Sequence, residues 1–259
     1  MPLDSLPEID RYILIRFNLL REKILLAFET YEFHTFYHSF SNFCVVELSA
    51  FYLDILKDRL YTFPEKSQER RAGQTTIHIL LMGMVRLIAP VLSFTAEEIW
   101  SYLPKGSAKE NSVHLSSFPT RENFKFDEEL VSNWKLLVEL KGEVSKASEA
   151  SRRDKIIGHS LDSIIKLELP KDMKEIVRHC SADLKFLFIV SKVELVDGLI
   201  DSENVYVSNL LPGVKISTER HPGQKCERCW HYFDVDSQTG DTLNCQRCQD
   251  HLQVAEESN

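Results

Sequence analysis

The stretch ILIRFNLLREKILLAFETY at residues 13–31 indicates the fold class. Its apolar residues recur at spacings of three and four, which places them on one face of an α-helix. The same spacing returns at residues 44–55 and 77–91. The three stripes consist of Ile13, Phe17, Leu20, Ile24, Phe28 and Tyr31, then Cys44, Leu48, Phe51 and Ile55, then Ile77, Leu80, Leu81, Met84, Ile88 and Val91. Stripes of this width pack against one another, so the first hundred residues predict an antiparallel helical bundle.

A proline and a capping motif predict where the bundle ends. Pro90 has no amide hydrogen to donate, so it should end or kink the third helix. Thr95 and Glu98 then have the spacing of a capping box, in which each side chain bonds the other residue's amide. We therefore expect a fourth helix from near Ala96 to about Leu103.

The rest of the chain changes character twice. A long helix is expected to begin after Asp127 and to run to about Arg153. The segments SLDSIIKLELP, FLFIVSKVELV, NVYVS and VKIS then favour strands, with a helix at residues 171–180 between the first two. The expected fold is thus mainly α, in four parts: a helical bundle at 1–104, a connector and long helix at 105–155, a small α+β unit at 156–217, and a cysteine-rich segment at 218–259.

Four of the six cysteines form two C-x2-C pairs separated by fifteen residues. Two residues between thiolates allow a tight turn to direct both sulfurs at one point, and two such turns supply the closed shell of a structural zinc site. We therefore predict one structural Zn²⁺ held by Cys226, Cys229, Cys245 and Cys248. Two disulfides are the alternative. The chain shows no secretion signal, and a reducing compartment disfavours them.

The residues around these pairs predict a zinc ribbon. The segment WHYFDVDSQTGDTL between the pairs has two apolar–polar runs around a turn, as in a small hairpin. So short a segment cannot build a core, so metal binding would supply on the order of 10 kcal/mol of its folding free energy. His231 and His251 could replace a ligand, although four cysteines suffice. Cys44 and Cys180 stand alone in apolar contexts that favour burial.

No catalytic motif is present in the sequence. It contains no GxxxxGK[ST] phosphate loop, no GxGxxG, no GxSxG and no HExxH. Glu47, Asp54 and Asp58 fall on one face of the second helix, where a solvated helix face is favoured over a pair of catalytic acids. No residue is therefore assigned to catalysis.

The charge balance limits the possible partners. The chain carries 31 Lys and Arg against 39 Asp and Glu, a net charge of −8, which disfavours a general nucleic-acid binder. A local basic patch can still be present, because the net charge is a sum over the whole chain. Around the first cysteine pair, Arg228 stands beside Trp230, a combination suited to stacking an unpaired base. Equally, Arg228 could be solvated and Trp230 could form the small core of the ribbon.

Membrane and secretion signals are not evident. No run approaches the roughly 18 apolar residues of a membrane span, and the acidic amino end MPLDSLPEID does not resemble a secretory signal. We therefore expect a cytoplasmic protein with no membrane partner.

Several segments carry a family resemblance: DRYILIRFNLL at 10–20, YEFHTFYHSFSNFCVVELSAFYLDILKDRLYTF at 31–63, RRAGQTT at 70–76 and RLIAPVLSFTAEEIW at 86–100. Together they resemble the anticodon-binding helical domain of isoleucyl-tRNA synthetases, a domain shared with synthetases for other aliphatic amino acids. DKIIGHSLDSIIKLELP at 154–170 and the KCERCW…CQRC segment are similar to the bacterial isoleucine enzymes in particular. The resemblance covers essentially the whole chain.

The resemblance implies a class I ligase that activates isoleucine with ATP and esterifies it to its tRNA, with this portion recognising the anticodon arm. The HIGH-like and KMSKS-like motifs of the catalytic domain and the inserted editing domain are missing. The tetrapeptide at residues 157–160, IGHS, is discounted because no strand precedes it. We therefore expect a C-terminal portion with an added Met1 that is inactive alone. We also expect it to be monomeric and partnered by the catalytic domain of the same polypeptide.

The resemblance also implies which residues contact the tRNA: Arg228, Trp230, Lys225, His231, Arg70 and Arg71. The first four follow from position in the CxRCW turn, Lys225 and His231 being the weaker candidates. The last two match a basic helix start near phosphates, where a structural salt bridge is an equal alternative. Two other classes stay open, a zinc-ribbon DNA-binding module and a protein-interaction scaffold in which zinc only holds the segment together.

Overall fold

The computed structural model describes residues 1–104, 106, 110–120, 127–180, 183–199, 205–235 and 243–256, without the side chains of 255 and 256. These residues form two compact units. One comprises Met1–Asp54 and Arg71–Asp127, and the other comprises Ile55–Arg70 and Glu128–Asn259. The second unit thus includes residues 55–70, which come from the helical first hundred residues.

The first hundred residues are helical, as the periodicity predicts. The helices are α1 (Glu8–Glu29), α2 (Phe33–Asn42), a π-helical segment (Phe43–Leu53), α3 (Asp54–Thr62), α4 (Gln68–Ile88) and α5 (Ser93–Ser101). α2, the π-helical segment and α3 follow one another without a break. Most of the first stripe is buried, from Ile13 to Ile24, whereas Tyr31 at its end is exposed.

Aromatic rings fill the core of the first unit. The Phe17 ring of α1 lies 6.0 Å from the Phe43 ring of the π-helical segment, centroid to centroid. Gly83 of α4 allows close approach to the same ring, because an added Cβ there would lie 2.4 Å from Phe17 Cζ. Tyr52 donates a hydrogen bond of 2.5 Å to Asp10, and both side chains are fully buried. α1 is therefore held by apolar packing and by a buried polar pair.

α5 starts earlier than predicted and has no capping box. Leu92 occupies its N-cap position and makes no side-chain hydrogen bond. The amide of Ala96 donates to the Leu92 carbonyl at 2.8 Å, so Thr95 already lies within the helical turn. A capping side chain needs a non-helical backbone. The prediction that Thr95 and Glu98 cap each other is therefore wrong.

The second unit contains the long helix and the sheets. Its elements are α6 (Glu128–Arg153), β1 (Ser163–Glu168), α7 (Lys171–His179), α8 (Leu184–Phe188), β2 (Lys192–Leu195), β3 (Val205–Val207), β4 (Lys215–Arg220), β5 (Gln224–Lys225), β6 (Tyr232–Phe233) and α9 (Gln246–Glu256). Four strands pair in the order β2-β1-β4-β3, with β1 and β2 parallel and the other pairs antiparallel. β5 and β6 form a separate antiparallel hairpin.

The predicted elements of this unit are confirmed with one exception. The helix after Asp127 ends at Arg153, and strands occur in all four predicted segments. FLFIVSKVELV is a strand only in its second half. Its first half belongs to α8, where the Asp183 carboxylate accepts the amide hydrogen of Lys185 and Ile189 ends the helix at φ 57°. This side-chain cap overrides the β-propensity of the segment.

One continuous helix, Phe33–Thr62, is long and apolar enough to cross a membrane by length and composition alone. Its most apolar window of 18 residues has a mean hydropathy of 1.3 and is 28% buried. The sequence analysis overlooked it because Glu47 interrupts the apolar run. One such helix is weak evidence for a membrane span, because length and composition alone do not distinguish it from other helices.

A buried carboxylate joins α6 to the sheet of the second unit. Glu143 is 1% exposed and accepts hydrogen bonds from Tyr206, Ser208 and Lys146. Burial alone would raise the pKa of Glu143, but the hydrogen bonds outweigh burial and hold the pKa below its ordinary value of 4.5. The ionised form is therefore the one that the fold stabilises.

Glu143→Gln should lower the free energy of unfolding by about 1–3 kcal/mol, because an amide nitrogen would face buried donors. Since the folded pKa lies below the unfolded one, the contribution of the carboxylate is complete above about pH 5 and is lost as pH falls through the folded pKa. Urea unfolding at pH 7 and pH 3 measures both effects. Glu149→Gln, at an exposed position of the same helix, is the control. An equal loss at both pH values would contradict the assignment.

Candidate metal centre and nucleic-acid interface

The first cysteine pair lies in the turn of a hairpin. β5 and β6 pair through Lys225 and Tyr232, and the turn between them is closed by hydrogen bonds from the Trp230 amide to the Cys226 carbonyl and from the Cys226 amide to the His231 carbonyl. The hairpin predicted downstream has its turn at 237–241, outside the described residues. A different hairpin, formed by β5 and β6, surrounds the first pair.

The second pair is placed by a helix. Cys245 immediately precedes α9 and Cys248 lies in its first turn. A helical turn puts residues three apart on the same side, so both sulfurs can face the first pair. We call residues 224–252 the cysteine segment.

The four sulfurs converge. All four Sγ atoms lie within 4.8 Å of one another, and those of Cys229 and Cys245 are 3.7 Å apart. A tetrahedral ion bound at about 2.3 Å would separate its sulfurs by roughly 3.8 Å. All six cysteines are among the described residues, and all are free thiols. The cluster therefore fits one metal ion and contains no disulfide.

The hydrogen bonds within the cluster favour the thiolate at Cys245 and disfavour it at Cys248. Hydrogen bonds with Cys229 and Cys248 lower the pKa of Cys245 to about 3, while the same network raises the pKa of Cys248. The amide of Cys245 also donates to Cys226 Sγ at 3.4 Å. Thiolate is the form that binds metal, and an amide donor stabilises its charge.

An arginine from the second pair bridges the sulfur cluster and α3. Arg247 donates two hydrogen bonds to Asp58, at 2.5 and 2.8 Å, and its side chain also hydrogen-bonds Cys229. The guanidinium carbon lies 4.5 Å from the Phe186 ring centroid and 5.6 Å from that of Phe63. Burial lowers the pKa of Arg247, but Asp58 and Cys229 outweigh burial and hold the pKa above its usual range. Arg247 is therefore fully charged.

The C-terminal end of α3 receives two more donors from the cysteine segment. The carbonyl of Thr62 lies 3.1 Å from Arg228 Nη2 and 3.1 Å from His251 Nδ1. The His251 ring also lies 4.5 Å from that of Phe63. The last carbonyls of a helix lack partners within the helix and carry partial negative charge. A cation and an imidazole therefore suit this position.

The predicted tRNA-contacting residues fall into two groups. Trp230 is 60% exposed and adopts a left-handed backbone with φ 66°, while Lys225 Nζ lies 5.5 Å from the centroid of its indole. Arg71 is exposed on α4. These three side chains are available to a ligand in solution.

The other three predicted residues are partly or wholly occupied within the protein. Arg228 is half-buried and donates a hydrogen bond to the Thr62 carbonyl. Arg70 is also half-buried, and its Nη1 lies 3.3 Å from the Phe63 carbonyl. His231 is 9% exposed, with its ring 5.2 Å from that of Phe186. Arg228 and Arg70 thus each donate to a backbone carbonyl near the end of α3, a kind of contact that the sequence analysis did not predict.

Sequence reasoning missed Asp58, Phe186 and Arg247. Asp58 was assigned to a solvated face, yet it pairs with a residue 189 positions away. One signal was available. Arginine precedes the second cysteine of both pairs, CERC and CQRC, so Arg228 and Arg247 occupy equivalent positions. Considering both turns together would have drawn attention to Arg247.

The chain is similar to known tRNA ligases. It is 41% identical over 250 residues to the isoleucine–tRNA ligase of Geobacter sulfurreducens, covering 96% of this chain and 26% of that protein. It is 42% identical over 261 residues to the corresponding ligase of Caldanaerobacter subterraneus subsp. tengcongensis, and 43% over 250 residues to that of Syntrophotalea carbinolica. It spans about a quarter of the length of these relatives.

A family profile described as the anticodon-binding domain of tRNA ligase matches residues 10–169. The match includes all of α1 except its first two residues, helices α2 to α6 and strand β1. Since it covers more than half of the chain, the chain belongs to the family of anticodon-binding domains of tRNA ligases.

Proposed function

We propose that this chain recognises the anticodon arm of isoleucine tRNA for an isoleucine–tRNA ligase. Family membership supports anticodon binding, and the relatives named above support isoleucine. The observation that carries the proposal is Trp230, an exposed indole with the Lys225 ammonium beside it. An indole flanked by a cation suits an unpaired base, because the ring stacks on the base and the cation attracts the phosphate.

The backbone of Trp230 adds a second argument. Its φ of 66° lies in the left-handed region, which costs a non-glycine residue about 1–2 kcal/mol. A glycine would fill this turn without that cost. Strain retained at an exposed aromatic residue is characteristic of binding sites. We infer that the turn holds the indole outward for a ligand.

The remaining predicted residues have supporting roles in the proposal. Arg71, exposed on α4, meets the phosphate backbone. Arg70 and Arg228 contribute through the parts of their side chains that remain accessible, while His231 orients the turn from inside. This division follows the exposure of each side chain.

The metal of this proposal is one structural Zn²⁺ held by Cys226, Cys229, Cys245 and Cys248. Four thiolates complete its tetrahedral shell, so it leaves no position for a substrate and only fixes the turn that carries Trp230. A reducing cytoplasm keeps the four thiols free for the metal. We also propose that the chain is monomeric.

The full ligase activity lies outside this chain in the proposal. Activation of isoleucine with ATP and its transfer to tRNA are assigned to a catalytic domain of the same polypeptide, because the chain spans about a quarter of its relatives. On its own the chain binds tRNA and performs no chemistry.

Trp230→Ala should weaken binding of isoleucine tRNA by about 1–3 kcal/mol through loss of base stacking. Arg228→Ala should weaken it by a similar amount if its guanidinium also reaches a base edge. Filter binding at moderate salt measures both, against isoleucine tRNA and against the same tRNA with a changed anticodon. Phe94→Ala, which removes a ring that is 94% exposed in the first unit, is the control.

Equal affinity of the unmodified chain for the two tRNAs would remove the anticodon claim. Tighter binding to duplex DNA than to tRNA would favour a DNA-binding module instead. An unaffected Trp230→Ala variant would show that the indole does not contact the RNA.

Zinc analysis should find one ion per chain, and Cys248→Ser should reduce that occupancy strongly because a three-sulfur site binds zinc weakly. Atomic absorption after dialysis measures it. Cys44→Ser, which changes a half-buried cysteine in the π-helical segment, should leave the zinc content unchanged. A zinc content that falls equally in both variants would contradict the assigned ligands.

A further inference from the structure

The position of Trp230 depends on contacts that involve no RNA. Trp230 directly follows Cys229, whose sulfur hydrogen-bonds Arg247, and Arg247 in turn holds Asp58 with two hydrogen bonds. A second connection runs from Arg228, two residues before Trp230, to the Thr62 carbonyl. Both connections end on the last turns of α3.

Arg247 makes the stronger of the two connections. Its two nearly parallel hydrogen bonds to one carboxylate form a bidentate pair, which fixes both distance and orientation. The side chains of Arg247 and Asp58 are 23% and 15% exposed, so water screens the pair less than it would a surface pair. Phe186 and Phe63 lie beside the guanidinium and restrict it further.

The chemistry of the neighbours requires arginine in particular. A guanidinium is planar and can serve a carboxylate, a sulfur and an aromatic ring at the same time, whereas a lysine ammonium is a compact charge that cannot reproduce the fork. A tetrathiolate zinc site would also carry a net charge of about −2, which a cation on Cys229 offsets.

We propose that Arg247 is a positioning residue that couples the sulfur cluster to the end of α3 and thereby holds Trp230 where the anticodon can stack on it. The proposal rests on the proposed function for its RNA part. Arg247 itself contacts no RNA. Its effect on recognition passes through the cysteine segment.

Arg247→Gln should speed release of Zn²⁺ to a colorimetric chelator by about 10-fold or more, as loss of an outer-shell partner does at other metal sites. It should also increase protease cleavage within the cysteine segment and weaken binding of isoleucine tRNA by about tenfold. Arg247→Lys should show nearly the same changes, because an ammonium keeps the charge but cannot form the paired hydrogen bonds of a guanidinium to one carboxylate. Asp58→Asn should resemble Arg247→Gln.

Two controls separate positioning from other roles. Lys174→Gln removes the same charge from an ion pair with Asp197 that lies outside the cysteine segment and should change none of the three readouts. Trp230→Ala should weaken tRNA binding while leaving zinc release and cleavage unchanged. The double variant of Arg247→Gln and Trp230→Ala should lose less tRNA affinity than the sum of the two single losses, because Arg247 acts through the segment that carries the indole.

Additive losses of tRNA affinity in the double variant would mean that Arg247 contacts the RNA directly and would overturn the proposal. Unchanged zinc release and cleavage in both Arg247→Gln and Asp58→Asn would also overturn it. Should the unmodified chain fail to discriminate between the tRNAs, the proposed function fails, while zinc release and cleavage still decide whether Arg247 couples the cluster to α3. Circular dichroism checks that each variant remains folded.

Discussion

The convergence of four sulfur atoms is the constraint on which the cysteine segment depends. The residues of this segment that the structure describes, 224–235 and 243–252, form a pair of two-residue strands and part of α9, and few of them are buried. So little apolar surface cannot offset the conformational entropy of ordering the backbone. The ordering must therefore come from the sulfur cluster and from the polar contacts with α3. These contacts account for the placement of Trp230, which is 60% exposed.

Two arginines of this segment make their polar contacts inside the protein. Arg247 is paired with Asp58, and Arg228 with a helix carbonyl, so neither is a free surface cation. This agrees with a chain whose net charge is −8. Binding that relies on few phosphate contacts has a shallow dependence on salt, whereas a basic groove would lose affinity steeply. The proposed recognition through stacking is thus compatible with the acidic net charge of the chain.

Local sequence patterns predicted most of the secondary structure. They did not predict which residues far apart in the sequence pair with each other. The stripes of α1 and α4 and the alternation of β1 depend on residues close in sequence, so periodicity is sufficient. The predicted capping box at Thr95 is wrong because α5 begins earlier, at Ser93. Helix α8 forms in a segment rich in residues that favour strands because the Asp183 side chain caps it. The sulfur cluster was predictable from spacing. Its arginine partner was not, because periodicity carries no information about which carboxylate lies near residue 247.

The pair between Asp58 and Arg247 has a consequence for the order of folding. The two residues are 189 positions apart, so α3 is synthesised long before its partner leaves the ribosome. Until then the carboxylate of Asp58 and the carbonyl of Thr62 have no donor from the cysteine segment. Contacts of such sequence separation form slowly because the intervening chain must first close a large loop. The second unit therefore cannot complete its fold before the cysteine segment has been synthesised.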